Sequence, residues 1–295
     1  MSNVKKSAGA HLGRQATVNA YFQTQSWFWN DIYASSDVYA EIHQERHVAV
    51  LDWIEGLALP PDSQVLEIGC GAGFMAVALA QRGFRVQAID SVESMVELAG
   101  QHAMEAGIAE RLSVAVGDIN ALAFEDESFD LVLAIGVLPW IGQVEPAMTK
   151  PQGFVILTAD NRALLHNLLD PLLNPVFAPL KRLAKNALAQ TRLRRPSLKD
   201  IGATSHSSRF IDTSLAHVGL IKTRGKTLGF GPFSLFRRSI LPKRLGIRLH
   251  HRLQILADRG TPLLRSTGAQ YIVLASKPAS LPTMQSTSTG KGIST

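Results

Sequence analysis

Apolar and polar positions along the chain follow two periods, and the changes of period mark its elements. Over residues 14–33, Val18, Tyr21, Phe22, Trp29 and Ile32 recur at helical spacing, and Ile42, Val50, Trp53, Ile54 and Leu57 do so over residues 39–57. After Pro60 and Pro61, Val65, Leu66 and Ile68 read as a buried strand. Gly69, Gly71 and Gly73 follow, then a helix-like apolar run from Phe74, then a second strand ending on Asp90. Ser91 is placed to cap the next helix, whose Val92, Met95, Val96 and Leu98 make its apolar side. Residues 112–116 and 154–157 predict further short strands.

The strand, glycine turn, helix and acid-ended strand form a nucleotide cradle. The glycines let the backbone turn sharply and approach a ligand where a side chain would clash. The helix from Phe74 points its first free N–H groups at the same place. Asp90 stands about twenty residues beyond the first glycine, where a carboxylate can accept from both hydroxyls of a ribose. A dinucleotide site wants glycine three places after the second one, and Phe74 occupies that position. Glu67, inside the strand, would repel a pyrophosphate but can accept hydrogen bonds near a cationic amino group. S-adenosylmethionine carries that cation and no phosphate.

The run Glu67-Ile68-Gly69-Cys70-Gly71-Ala72-Gly73 resembles motif I of the class I S-adenosylmethionine-dependent methyltransferases. The resemblance implies an α/β fold, a Rossmann-like doubly wound seven-stranded sheet with an antiparallel last strand, N-terminal helices and helical lid insertions. It implies a cofactor site made of Glu67, Gly69, Cys70, Gly71, Gly73, Asp90 and Ser91. Met95 would pack on the adenine, Asp118 beside Ile119 would bind the adenine amine, and the backbone of Ala134 or Ile135 would meet the methionine part. Residues 129–134 resemble the fourth strand, 210–219 the helix before the sixth, 220–230 the sixth strand and 269–277 the last.

The expected layout is a disordered 1–13, a helical cap at 14–58, a cofactor-binding core at 59–160 and an inserted helical basic lid at 161–208. Residues 209–277 complete the sheet around a basic helical insertion, and 278–295 form a disordered tail. One departure stands out. A parallel crossover needs a dozen or more residues, whereas 142–151 are short and interrupted by Pro146 and Pro151, so one turn of helix at most is expected there.

Tyr21, Trp27, Trp29 and Tyr33 are able to wall the site, but aromatics at helical spacing are expected to be core for the most part. Trp140 faces either substrate or core. His43 and His47 lie four apart on one helical face, yet Gln44 stands where a zinc-protease pattern needs glutamate and no third ligand is evident, so no metal is expected. An oxygen nucleophile needs a proton acceptor. His43, His47, Asp160, His166 and His206 are the candidates, with Asp160 and His206 favoured for lying near the sheet edge or the lid.

Composition bears on compartment and partner. The only cysteine, Cys70, excludes an intrachain disulfide and points to a reducing, cytoplasmic location. No signal-peptide core or bilayer-length apolar run is present, so a soluble or peripheral protein is expected. Residues 1–150 hold 8 Lys and Arg against 19 Asp and Glu, while 151–295 hold 22 against 5. That asymmetry suggests an anionic partner for the second half: a phosphorylated or lipid-linked substrate, a membrane surface or nucleic acid. Two segments pair cations with apolar residues. One spans 163–195, and the other interleaves Arg237, Arg238, Lys243, Arg244, Arg248, His250, His251 and Arg252 with Ile247, Leu249, Leu253 and Leu256 on a helical pattern.

The leading reading is methyl transfer to a small-molecule or lipid-linked acceptor at oxygen. A nucleic-acid methyltransferase is second, weakened because Leu138-Pro139-Trp140 stands where an Asn- or Asp-Pro-Pro-Tyr tetrapeptide would. A non-catalytic cofactor-binding or scaffold protein is third.

Overall fold

Strands that are apolar on both faces belong in a sheet covered on both sides, and the chain builds one. The computed structural model describes residues 13, 15–122, 124–125, 128–140, 153–165, 174, 203–235 and 238–278. Helices α1 (15–24), α2 (Ser26–Asp31) and α3 (Val38–Glu55) come first. The alternating part follows: β1 (Gln64–Ile68), α4 (Phe74–Gln81), β2 (Arg85–Asp90), α5 (Glu93–Glu105), β3 (Leu112–Val116), β4 (Leu131–Ala134) and β5 (Phe154–Asp160). Next are α6 (Ser208–His217), β6 (Ile221–Leu228), a small β7 (Ser234–Leu235) and β8 (Arg238–Ser239) hairpin, α7 (Lys243–Asp258) and β9 (Gln270–Ser276).

Seven strands lie in the order β3-β2-β1-β4-β5-β9-β6. The first five pair in parallel, and β9 is antiparallel to both β5 and β6. This is the sheet the sequence predicts, with its antiparallel last strand. Period-two alternation divides the core. Val65, Leu131, Leu133, Ile156 and Ile272 meet α3, α4 and α5 on one face, while Leu66, Val132, Leu157 and Val273 meet Ile211 and Leu215 of α6 on the other. Glu67 shares Val65's side of β1, in register with Ala88 and Leu133, so its carboxylate is carried under the start of α4.

Helix α3 buries His43 and Arg46 as well as its apolar residues because it is covered on two sides. Asp37 caps it, accepting from Tyr39 N and Ala40 N at 2.9 Å. Ser91 does not cap α5 as its sequence position suggested. Asp90 accepts from Val92 N instead, and Ser91 Oγ donates to Asn19 Oδ1 at 3.0 Å, tying α1 to the end of β2. The crossover at 142–151, His166, residues 1–12 and 279–295, and most of 161–208 lie outside the described residues.

Candidate functional site

The carboxyl ends of β1, β2, β4 and β5 open into one cavity of about 480 Å³, roofed by α1, α2 and α3. Such a volume suits a bound small molecule. Its floor is the glycine turn, where the glycines play different parts. Gly71 has φ +54° and a side chain there would meet nothing within 4 Å, so it is the turn residue left open to the cavity. Gly73 caps α4 at φ +81°, and a Cβ would lie 2.6 Å from Ala99 Cβ, so it serves the packing of α4 on α5 and does not line the cavity.

Asp90 holds the turn in shape. One carboxylate oxygen accepts from Gly71 N and the other from Val92 N, each at 2.9 Å, leaving lone pairs directed into the cavity. Burial raises its pKa, and the backbone donors Gly71, Val92 and Ser91 oppose that. Beside it, Glu67 is 3% exposed with Oε2 unpartnered. Burial pushes its carboxyl up to about 8. Asp90 adds to the rise, while the Ala76 N–H and Arg46 oppose it. Cys70 also lines the turn, and burial followed by these two acids holds its thiol well above the ordinary range, so it stays protonated.

Arg46 is the residue that the sequence did not single out. It projects from α3 into the cavity, 7% exposed, with Nε unpartnered and Nη1 3.5 Å from Gln270 Oε1. Gly136, at φ +79°, brings the backbone after β4 against it. A Cβ there would lie 3.3 Å from Arg46 Nη1, and Gly136 N donates to Thr158 Oγ1 at 2.7 Å. Among the described lining residues Arg46 is the only arginine or lysine, set against Glu67, Asp90, Asp118 and Asp160.

The predicted residues divide. Glu67, Gly69, Cys70, Gly71, Asp90, Ser91, Met95, Asp118, Ile119 and Ile135 all line the cavity, as do Asp160 and His43. Ala134 is buried at the end of β4 and does not; Ile135, Gly136 and Val137 take its place. His206 is also elsewhere. Its N–H donates to Asp160 O, it pairs with Asn161 and its ring stacks on Phe210 at 5.0 Å, a bracing role at the sheet edge. The aromatics of α1 and α2 are not mainly core. Tyr21, Trp29 and Tyr33 wall the cavity with Phe22, Tyr39 and Trp140, whereas Trp27 points out, 63% exposed. Trp140 stacks on Tyr21 at 6.2 Å and meets Phe22 edge-on at 4.9 Å.

Three groups bear on proton transfer. Burial pushes Asp160 up to about 6 against the pull of Arg46, so it is largely ionised at neutrality. His43 Nδ1 donates to Tyr39 O at 2.8 Å, leaving Nε2 as an acceptor, but burial and then Arg46 hold the ring near 3. His47 is lowered to about 4 by the same causes. Both histidines are neutral and weakly basic, with Arg46 between them, which is no place for a divalent cation.

A second histidine cluster lies behind α3, where Glu45, His250 and His251 bring possible metal-ligand atoms together. His250 Nδ1 accepts from Phe230 N at 3.1 Å, so the ring proton sits on Nε2, 3.1 Å from Glu45 Oε2. A protonated Nε2 cannot ligate a metal. With His251 to Glu41 at 2.9 Å, the cluster braces α7 against α3.

A family model described as a methyltransferase domain matches residues 65–150. The chain is 32% identical over 150 residues to a ubiquinone biosynthesis O-methyltransferase of Paracidovorax citrulli, covering 48% of this chain and 61% of that one. It is 36% identical over 107 residues to the protein so named of Methylocella silvestris, covering 34% and 41%. The chain thus spans less than two-thirds of the length of these curated relatives. Among solved structures, magnesium protoporphyrin IX methyltransferase of Synechocystis with bound S-adenosylhomocysteine superposes with a TM-score of 0.60 at 18% identity, covering 90% and 100%. A [4+2]-cyclase superposes at 0.54 and 16% identity, covering 89% and 95%, so the fold by itself does not fix the reaction. The sheet order and the glycine turn agree with the sequence match over β1 to β4: residues 65–150 match a methyltransferase domain, and the chain has the Rossmann-like fold of the solved methyltransferases it resembles.

Proposed function

We propose that this protein transfers the methyl group of S-adenosylmethionine to an oxygen of a small-molecule acceptor. The observation that carries the reading is a set of buried polar atoms facing one cavity without partners, Glu67 Oε2 and Arg46 Nε, beside the carboxylate-braced turn at Gly71. Unpartnered groups of both signs are costly in a buried site unless a ligand satisfies them. Their signs match a zwitterionic amino acid tail. Arg46 would hold its carboxylate and Glu67 would face its ammonium and the neighbouring sulfonium. Asp90 would take the ribose hydroxyls, and Asp118 the adenine amine between Met95 and Ile119. When bound, S-adenosylmethionine supplies a methyl group already activated by the sulfonium.

The chain's own work is then positioning, exclusion of water and removal of one proton. The aromatic wall of Tyr21, Phe22, Trp29, Tyr39 and Trp140 excludes water and favours a flat, apolar acceptor. Asp160 is the acceptor best tuned to a hydroxyl proton near neutrality. Tyr39, whose pKa is raised by burial and then by Asp160, keeps its hydroxyl proton and serves as a donor. Asp90, Asp118 and Asp160, beside the largely protonated Glu67 and against one arginine, argue against an anionic acceptor entering the cavity, and so against a phosphorylated acceptor or a nucleic acid strand. The curated relatives are named for O-methylation in ubiquinone biosynthesis, which supports a small apolar acceptor at oxygen. A lipid-linked acceptor reached from a membrane fits the basic second half. No helix among the described residues is long and apolar enough to cross a bilayer.

The test is methyl transfer from methyl-labelled S-adenosylmethionine into organic-soluble and aqueous fractions of a cell extract, followed by mass spectrometry of the product. Label in a neutral aromatic product supports the reading. Tight cofactor binding with no transfer to either fraction would leave a non-catalytic binding protein.

A further inference from the structure

Helix α7 is built inside out. It packs on the protein through Gly246, His250, Gln254 and Ala257, while its leucines face solvent. Gly246 is required for that contact, since a Cβ there would lie 2.9 Å from Val38 Cγ2 of α3. Gln254 and His250 are satisfied inside, accepting from Gly229 N and Phe230 N. At 3.6 residues per turn, the exposed Leu245, Leu249 and Leu256 fall within about 40° around the axis, well away from the buried face. Arg244, Arg248 and Arg252 form a row beside them, all exposed. Among the described residues these three arginines have no ion-pair partner.

Two further exposed apolar residues flank the helix in sequence. Ile240 precedes α7 and Leu263 follows it, the latter 78% exposed. Leu263 has φ +68°, a left-handed conformation that costs a leucine on the order of 1 kcal/mol and marks a position worth a functional explanation. From residue 213 to the end, the sequence holds 13 Lys and Arg and one acid, Asp258, which pairs with Lys226 at 3.2 Å. Among the described residues the nearest acids are engaged elsewhere, Asp258 with Lys226 and Glu41 and Glu45 with the histidines of α7, and none pairs with this row. A stripe of leucine edged by arginine, on a helix of low overall hydrophobicity, matches a surface with an apolar interior and anionic head groups. A nucleic acid would leave the leucines wet.

We propose that α7, with Ile240 and Leu263 at its ends, is a docking surface for anionic lipid bilayers. The leucines enter the acyl boundary and the arginines meet the head groups. The inference goes beyond the methyl-transfer reading. It also gives that reading a direction, because the side of α3 opposite α7 carries Tyr39, His43 and Arg46 into the cavity. Helix α3 then lies between α7 and the site.

The test is co-flotation of the full chain, without cofactor or acceptor, with vesicles of phosphatidylcholine with and without phosphatidylglycerol. Binding is expected to the anionic vesicles alone and to weaken with salt. The triple variant Arg244→Gln/Arg248→Gln/Arg252→Gln should weaken it about 100-fold, and Leu245→Ser/Leu249→Ser/Leu256→Ser at least about tenfold. Retained S-adenosylmethionine binding by both variants shows that they fold. Absence of wild-type binding to anionic vesicles, or binding that neither variant reduces, overturns the proposal. So does a concentration-dependent dimer abolished by the leucine variant together with no flotation, which would make the stripe a contact between copies. Because no methyl transfer is involved, loss of flotation and loss of activity report separately on the two readings.

Discussion

Cofactor binding should expel a proton from Glu67. Its carboxyl, pushed up to about 8 by burial and by Asp90, is protonated in about nine-tenths of unliganded molecules at pH 7. An ammonium placed beside Oε2 favours the charged form, and a fall of about three units or more would empty the site, releasing about 0.9 proton. The cofactor's own amino group, with an ordinary pKa near 7.8, takes up about 0.1 proton at pH 7, so net release is about 0.8. Asp160, at about 6, holds only about 0.1 proton there and cannot supply the difference. The sign follows directly. The bound state holds fewer protons than the free one, so binding strengthens as pH rises, and the apparent Kd should be about eightfold weaker at pH 6 than at pH 7. Calorimetry of S-adenosylhomocysteine binding in buffers of different ionisation enthalpy reads the proton count as a slope. In Glu67→Gln there is no proton to release, and the slope should collapse. A wild-type slope near zero, or the full slope retained in the variant, would refute the assignment of Glu67 to the cationic end.

Apoprotein stability should also depend on pH through Glu67. Its folded pKa is raised above the unfolded value near 4.5, so the native state binds the extra proton and stability declines as pH rises toward 8. His43 and His47, lowered to about 3 and about 4, act in the opposite sense, an effect that fades as pH rises through their unfolded value of 6.5 and still adds about 0.4 kcal/mol each between pH 6.5 and 8. Thermal melts between pH 6.5 and 8 should therefore show a net decline of about 1 kcal/mol, made of about 1.6 kcal/mol from Glu67 less the histidine share, and Glu67→Gln should abolish it; a flat wild-type curve there would count against it. Replacing Arg46 by Met should weaken S-adenosylmethionine binding about 10- to 100-fold and erase discrimination against its decarboxylated analogue, whereas preserved discrimination would place the carboxylate elsewhere. Gly73→Ala should cost about 2 to 4 kcal/mol in denaturant unfolding, because a Cβ meets Ala99 at 2.6 Å and φ is +81°. Gly71→Ala, with open space ahead of it, should cost only about 1 kcal/mol of stability but impair cofactor binding. Equal effects of the two on folding would contradict the division between packing glycine and ligand glycine.

The parts of the site written in local sequence were legible. Strand, glycine turn, helix and strand occupy a continuous stretch, and the close chain spacing of Glu67, Gly71 and Asp90 becomes close spatial placement through parallel pairing of β1 with β2. Arg46 was not legible because its meaning depends on burial. Among the charged residues between His43 and His47 an arginine reads as solvated, and only the covering of α3 on both sides turns it into a cavity charge. His206 misled for the complementary reason. Its place just after a long insertion suggested a lid, but the backbone bridge to Asn161 turns its ring toward Phe210. The aromatics of α1 and α2 have helical spacing whether they face a core or a cavity, so periodicity could not separate Trp29, which lines the site, from Trp27, which faces solvent.

Helix α3 links the separate features. Its cavity side carries Tyr39, His43 and Arg46, and its other side carries Glu41 and Glu45 to the histidines of α7. Glu45 and Arg46 are adjacent in sequence and about 100° apart around the axis, one directed to α7 and the other to the cavity, so a shift of α3 along its axis would alter the cavity cation and the α7 contact together. Gly246 leaves little slack for such a shift, because Val38 already occupies the space a Cβ would need. Gly246→Ala should therefore do more than cost stability. By pushing α7 away from Val38 it should weaken cofactor binding through Arg46, an effect readable by calorimetry even though position 246 does not line the cavity. Cofactor affinity unchanged in a folded Gly246→Ala protein would show that α3 is held by the sheet and the cavity wall alone, with α7 a passenger on its outer side.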